Sequence, residues 1–271
     1  MIDRKFCPLC NSKNIKNIKI INKDELKRFI IDYYGLSSYE KLRNILDNEL
    51  IYSECKECKL IFQRNILDDN GMCLLYENII DPKKSLEKRL NFSLEQNFRS
   101  IKFLKNIMIK INKKPLDMTI VDLGMGFGHT LNQAKALGCM NVFGIELSKY
   151  RINYAKDNFG IKCFYDLTDF KDESIDLLIA NQSLEHIPNI REILDNIEKK
   201  LSIGGIVYIA VPDGSKKREF LAKGAFHPLE HINSFKPKSK KCLFSKNLKF
   251  IFILRNLHPG YKTTWLFRKI K

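Results

Sequence analysis

The chain has 271 residues, 44% hydrophobic and 29% charged, room for one large domain or a medium domain with a small companion. No apolar run is long enough to cross a bilayer, and the opening MIDRKFCPLC lacks the apolar core of a secretory signal, so the expected location is cytoplasmic. The formal net charge is +16, and residues 214–271 hold 15 Lys or Arg against two acids, Glu219 and Glu230. This asymmetry suits a phosphate-bearing substrate, a nucleic acid, an anionic membrane surface or a plain solvated face, and charge alone does not choose among them.

Two CxxC pairs come first, CPLC at 7–10 and CKEC at 55–58. Two residues between thiolates let one tight turn aim both sulfurs at one ion. Cys7, Cys10, Cys55 and Cys58 are therefore predicted to hold a structural Zn²⁺ with no open coordination position. The stretch DELKRFIIDYYGLSSYEKLRNILDNE between the pairs reads as one or two helices. Residues 1–75 thus form a small zinc-ribbon-like module, ending in the strand-like KLIFQRN. Residues 76–115 read as a helical linker or lid. Leu90, Leu94, Phe98, Ile101, Leu104 and Met108 fall at helical spacing, which predicts that this face packs on the domain that follows.

From residue 116 to 271 strand and helix patterns alternate. MTIVDL, NVFGIE, IKCFYD, SIDLLIAN and IVYIAVP read as strands, and HTLNQAKALG, SKYRINYAKDNFG and IREILDNIEKKLS as helices. Gly138 and Gly160 close two helices, and Ser148 opens one as a cap. Residues 237–246 suggest another helix, and LKFIFIL and KTTWLFRKI two last strands. The pattern predicts an α/β fold, a parallel sheet with helices on both faces. Ligands bind such sheets at the carboxyl ends of the strands. There VDLGMGFGHT places Gly124 and Gly126 where backbone can approach a ligand, and Gly128 where a helix enters tightly. The next strand ends in Glu146, an acid able to accept hydrogen bonds from both hydroxyls of a ribose.

In order and spacing, VDLGMGFG, GIELS, SIDLLIANQSLEHIPN and LSIGGIVYIAVPD resemble the motifs of class I S-adenosylmethionine-dependent methyltransferases. The resemblance implies a Rossmann-like seven-stranded sheet with the last strand inserted antiparallel. It implies that Asp122, Gly124 and Gly126 face the methionine end of the cofactor, and that Glu146, beside Leu147, holds the ribose. Asp166 or Leu167 would flank the adenine, and Asn181, Gln182 and His186 would line the floor beneath the sulfonium.

With its cysteine module, the chain resembles bacterial methyltransferases of sugar, surface-glycan and secondary-metabolite pathways. The segment FHPLEHINSF, 226–235, matches their Glu-His motif with Glu230 and His231. Pro228 stands where sugar C-methyltransferases of this kind carry a Tyr, which points to O-methylation. A His suits proton removal from a hydroxyl, since its pKa lies near working pH. His231 and His227 are the candidate bases, with Glu230 as orienting partner or alternative base; capping of local backbone is the plainer role for the Glu-His pair. Lys216, Lys217, Arg218, Lys223, Lys236, Lys238, Lys240 and Lys241 flank the segment as a basic rim for an anionic acceptor such as a nucleotide-linked or phosphorylated sugar. Beside a non-enzymatic scaffold, against which the intact glycine loop and Glu146 argue, RNA methylation is the alternative, favoured by the basic tail. The wide gap between the CxxC pairs and the NQSL at 181–184, in place of an NPPY-type motif, do not match it.

Overall fold

The computed structural model describes the chain except residues 47–48, 216–219, 222–223 and 253–262 and the side chain of Phe252. Two compact units emerge. One comprises Met1–Asp81 with Leu184–Arg191 and Val211–Leu243; the other comprises Pro82–Ser183, Glu192–Ala210 and Phe244–Lys271. Residues 211–243, placed by sequence with the domain of residues 116–271, thus pack with the cysteine module. Their short strand Asn233–Ser234 pairs antiparallel with Ile61–Gln63, a contact between residues far apart in sequence.

The first unit is built on a four-stranded sheet in the order Asn233–Ser234, Ile61–Gln63, Glu49–Cys55 and Ile15–Asn22. The insert between the CxxC pairs makes two helices, Lys23–Tyr34 and Leu36–Leu42, parted by Gly35 at φ +92°. Asn22 and Glu25 form a reciprocal capping box at the start of the first. Ile21, Leu26, Ile30, Leu50, Tyr52 and Leu75 bury their side chains with Phe226 and Leu229 from the later segment.

The second unit holds a seven-stranded sheet in the order Leu248–Phe252, Thr263–Lys269, Leu201–Val211, Ile175–Asn181, Thr119–Leu123, Asn141–Ile145 and Lys162–Phe164. Thr119–Leu123 pairs parallel with both its neighbours, and Thr263–Lys269 runs antiparallel to Leu248–Phe252. The central strands read as apolar runs because both faces are covered: Ile120, Leu177, Ile179, Ile206 and Tyr208 are buried together with Leu131 and Ala134 of the helix His129–Ala136.

The linker splits into two helices, Pro82–Leu90 and Leu94–Met108, the second opened by a Ser93–Gln96 capping box. Its buried face differs from the expected stripe. Phe103, Leu104, Ile107 and Met108 are buried, whereas Leu94 is 90% and Phe98 65% exposed. Only the last two turns meet the sheet's core, so periodicity in the first half has no partner in that core among the described residues. Pro237–Cys242 is a 3₁₀ turn rather than a full helix.

Candidate functional site

The cysteine centre sits in the first unit. The Sγ atoms of Cys7, Cys10, Cys55 and Cys58 all lie within 4.8 Å of one another. Each CxxC is a knuckle closed by a left-handed residue, Asn11 at φ +56° and Lys59 at +64°, whose N–H donates to the carbonyl of Cys7 or Cys55. Cys7 meets Cys58, and Cys10 meets Cys55, at 3.5 Å. The Cys58 thiol's hydrogen bond draws Cys7 down to about 6, while burial pushes Cys10 up to about 12 and the Cys7 bond together with burial raises Cys58. Four packed thiols cannot all ionise without a cation among them, and four thiolates are the donor set of a structural Zn²⁺.

The glycine loop lies at the carboxyl end of Thr119–Leu123 in the second unit. Gly124, Gly126 and Gly128 adopt φ of +73°, +57° and +77°. A Cβ on Gly124 would lie 2.8 Å from Ser183 Cβ, and one on Gly128 would lie 2.7 Å from Ile161 Cδ1; at Gly126 nothing lies within 4 Å. Two of the glycines therefore answer to packing, and Gly126 keeps an open face. The Met125 side chain tucks onto the next strand at Gly144, where a Cβ would fall 1.9 Å from its Sδ. Glu146, 9% exposed, accepts from the Gly126 N–H at 3.1 Å through Oε2, and from the N–H groups of Leu147 and Ser148 through Oε1. Arg151 approaches the same carboxylate at 3.7 Å. The N–H groups received at Oε1 lie just before the helix Lys149–Phe159 and at its cap position, while the Ser148 side chain, expected to cap, makes no cap bond. Burial, and then the Glu146 charge, push the Asp122 carboxyl up to about 8.

Around this loop, Leu147 and Tyr165 are exposed apolar residues following two adjacent strands. Asp166 accepts from Thr168 N–H at 2.6 Å and caps a 3₁₀ turn, and Leu167 is buried. Asn181 ends its strand half-buried. Gln182 follows at φ +55°, with its backbone N–H and side-chain amide both donating to Ala210 O. Ser183 is buried with its Oγ unpartnered. Ser183, Tyr165 and Gly144 carry no motif signal; only their neighbours in the folded loop single them out.

Three of the five histidines, His186, His227 and His231, gather in the first unit. His186 ends the 3₁₀ turn Leu184–His186, and its Nδ1 lies 2.9 Å from Glu230 O and 3.0 Å from the Tyr76 hydroxyl. His231 contacts Gly224 O through Nδ1, and burial lowers its pKa. The two rings stand 4.8 Å apart. The Tyr34 hydroxyl donates to Glu230 Oε1 at 2.5 Å, and His227 Nδ1 lies 3.6 Å from the same oxygen. His227 is buried against Phe29, Tyr33 and Tyr34. The Gln63 side-chain amide reaches the carbonyls of both His227 and His231, which ties this segment to the cysteine module.

The sequence motifs thus fall into two groups. Asp122, Gly124, Gly126, Glu146, Leu147, Asp166, Asn181 and Gln182 belong to the second unit; His186, His227, Glu230 and His231 belong to the first with the four cysteines. Tyr34 and Tyr76 were missed, because no spacing in the chain links them to Glu230 and His186. Of the basic rim, Lys236 is engaged with Glu54 at 2.5 Å, so its charge is matched; Lys238 and Lys241 are exposed. Lys216, Lys217, Arg218 and Lys223 lie outside the described residues.

A methyltransferase domain family matches residues 94–247. Phosphoethanolamine N-methyltransferase 2 of Caenorhabditis elegans is 27% identical over 150 residues, covering 51% of this chain and 31% of the relative. Among solved structures, an S-adenosylmethionine-dependent methyltransferase from Mesorhizobium loti is 23% identical over 40% of this chain and 53% of its own, with a TM-score of 0.35. Another from Archaeoglobus fulgidus is 16% identical over 64% and 78%, with a TM-score of 0.47. The chain therefore spans about a third of the curated relative and about half of the first of these structures. With the matched segment covering more than half of its residues and the glycine loop inside that segment, the chain belongs to the methyltransferase domain family.

Proposed function

We propose that the protein transfers a methyl group from S-adenosylmethionine to a hydroxyl of a small anionic acceptor, a nucleotide-linked or phosphorylated sugar of surface-glycan synthesis. The observation that carries the reading is the open backbone at Gly126, bonded to a strand-end Glu146 and set beside a buried Asp122. S-adenosylmethionine supplies an electrophilic methyl on its sulfonium. The chain's residues bind it and manage one proton. Glu146 exchanges its Gly126 contact for the ribose hydroxyls, Leu147 and Asp166 flank the adenine, and Asp122 and Gly124 meet the methionine end. Asn181, Gln182 and His186 complete the cofactor set.

On the acceptor side, His231 takes the hydroxyl proton. Its lowered pKa keeps it neutral near pH 7, and the Gly224 carbonyl at Nδ1 leaves the basic lone pair on Nε2. Glu230 and His227 orient this group through the Tyr34 contact and the shared backbone. The anionic tail suits the exposed Lys238 and Lys241, and the curated relative's name also denotes a phosphorylated small acceptor. Zn²⁺ at the four cysteines braces the module that carries the histidines.

Two measurements test this reading. Labelled cofactor with separate nucleotide-sugar and ribosomal-RNA pools should label the sugar pool; label in RNA alone sinks the acceptor class. Glu146→Ala should weaken cofactor binding at least tenfold by calorimetry, and His231→Ala should lose transfer while keeping cofactor affinity. Wild-type affinity in Glu146→Ala removes the ribose role.

A further inference from the structure

We propose that Glu185, His186 and His231 bind one divalent transition-metal ion, at a second centre apart from the four cysteines. A carboxylate oxygen of Glu185 and one ring nitrogen each of His186 and His231 lie within 4.8 Å of one another. Two imidazole nitrogens and a carboxylate oxygen held about 2.0–2.2 Å from an ion sit about 3–4 Å apart, so small side-chain adjustments close the set.

Glu185 is the second, independent observation. It is 1% exposed, and both of its carboxylate oxygens are buried without a hydrogen-bond partner. A buried carboxylate with no partner is strongly unfavourable. Protonation removes the charge but still leaves a buried O–H with no acceptor. A cation resolves it directly. The histidines are prepared for the same role. Backbone carbonyls of Glu230 and Gly224 face the Nδ1 atoms of His186 and His231, and in the tautomer in which Nδ1 donates to them the lone pair lies on Nε2. Such outer contacts orient metal-binding imidazoles. Glu230 itself accepts from Tyr34 and is held out of the set.

Two imidazoles and one carboxylate favour zinc, manganese, iron or cobalt over calcium or magnesium. Three protein ligands leave positions for oxygen donors of an acceptor. That use rests on the proposed methyl transfer and modifies it: with an ion bound the His231 lone pair would be committed, and the ion would hold and acidify the acceptor oxygen, whose proton would pass to solvent water. Metal binding itself stands without that reading.

The test uses the full chain after a mild chelator has cleared exchangeable metal, leaving one zinc per chain at the cysteines. Mn²⁺ is titrated and bound ion followed by electron paramagnetic resonance, with zinc counted by elemental analysis. One saturable Mn²⁺ per chain is expected, with affinity reduced at least tenfold in both Glu185→Gln and His231→Ala while zinc content stays unchanged. Retained zinc shows that each variant has folded, and either variant alone suffices if the other does not fold. No saturable Mn²⁺ in the wild type, or unchanged affinity in the folded variants, overturns the site. Normal methyl transfer by a chain stripped of this ion overturns the metal's part in the reaction. Saturable Mn²⁺ without transfer to any sugar pool supports the site and counts against the acceptor reading instead.

Discussion

At the scale of single residues, the buried acids carry the most chemical information. Asp122 sits one residue before the end of the strand Thr119–Leu123, among buried apolar neighbours, where burial is the largest influence and Glu146 adds like-charge repulsion. Its folded pKa of about 8 lies above its ordinary 3.8, so the favourable contribution is full below about pH 4 and is lost as pH rises through 8. Asp122→Asn should therefore gain stability relative to wild type progressively between pH 4 and 8. Urea melts at pH 5 and pH 8 check this: a difference between the two proteins that does not change with pH would contradict it. Identities such as Asp122 and Glu146 were readable in the chain because strand ends announce themselves. The unpartnered Glu185 was not, since LEH looks the same whether its acid faces water or is 1% exposed.

At the scale of elements, the glycine loop shows how one motif serves two purposes. Gly128 leads into the helix His129–Ala136 against Ile161 and Ala155, and Gly126 faces open space, though both are left-handed. Gly128→Ala adds a steric clash to the backbone cost, so it should destabilise by more than the ~1–2 kcal/mol of left-handed strain alone. Gly126→Ala should lose little beyond that strain yet weaken cofactor binding. Denaturant melts beside calorimetry separate the two, and equal stability losses would refute the distinction. The helix Leu94–Met108 gives the complementary lesson. Its apolar spacing correctly forecast a helix, but periodicity cannot say which part of an apolar face acquires a partner. Leu94 and Phe98 stayed exposed while Phe103 and Ile107 were buried.

At the scale of the whole molecule, the first unit couples the four-cysteine cluster to a histidine cluster. The knuckle Cys55–Cys58 leads into Ile61–Gln63, whose edge pairs with Asn233–Ser234 and whose Gln63 holds the carbonyls of His227 and His231. One zinc per chain is expected, and Cys55→Ser should lose it. Hydrogen exchange should then quicken in residues 61–63 and 231–235, because metal-binding free energy is folding free energy in small modules. Exchange in Ile175–Asn181, in the other unit, should be unchanged. Purified protein without zinc, or exchange indifferent to Cys55→Ser, would break the link. Among the described residues no helix is long and apolar enough to cross a membrane.

The sequence by itself determined the alternation of strands and helices, the glycine loop with its paired acid, and the two knuckles. Each of these is local: hydrophobic period, turn chemistry and thiolate spacing act within a few residues. Only the tertiary structure decided that residues 211–243 pack with the cysteine module and that Tyr34 and Tyr76 meet Glu230 and His186. The same holds for Lys236, spent on Glu54, and for the approach of Glu185, His186 and His231. Those outcomes depend on contacts between residues 40 or more positions apart. Such contacts are chosen by which buried surfaces and unpaired strand edges fit together, and no spacing rule along the chain records that choice.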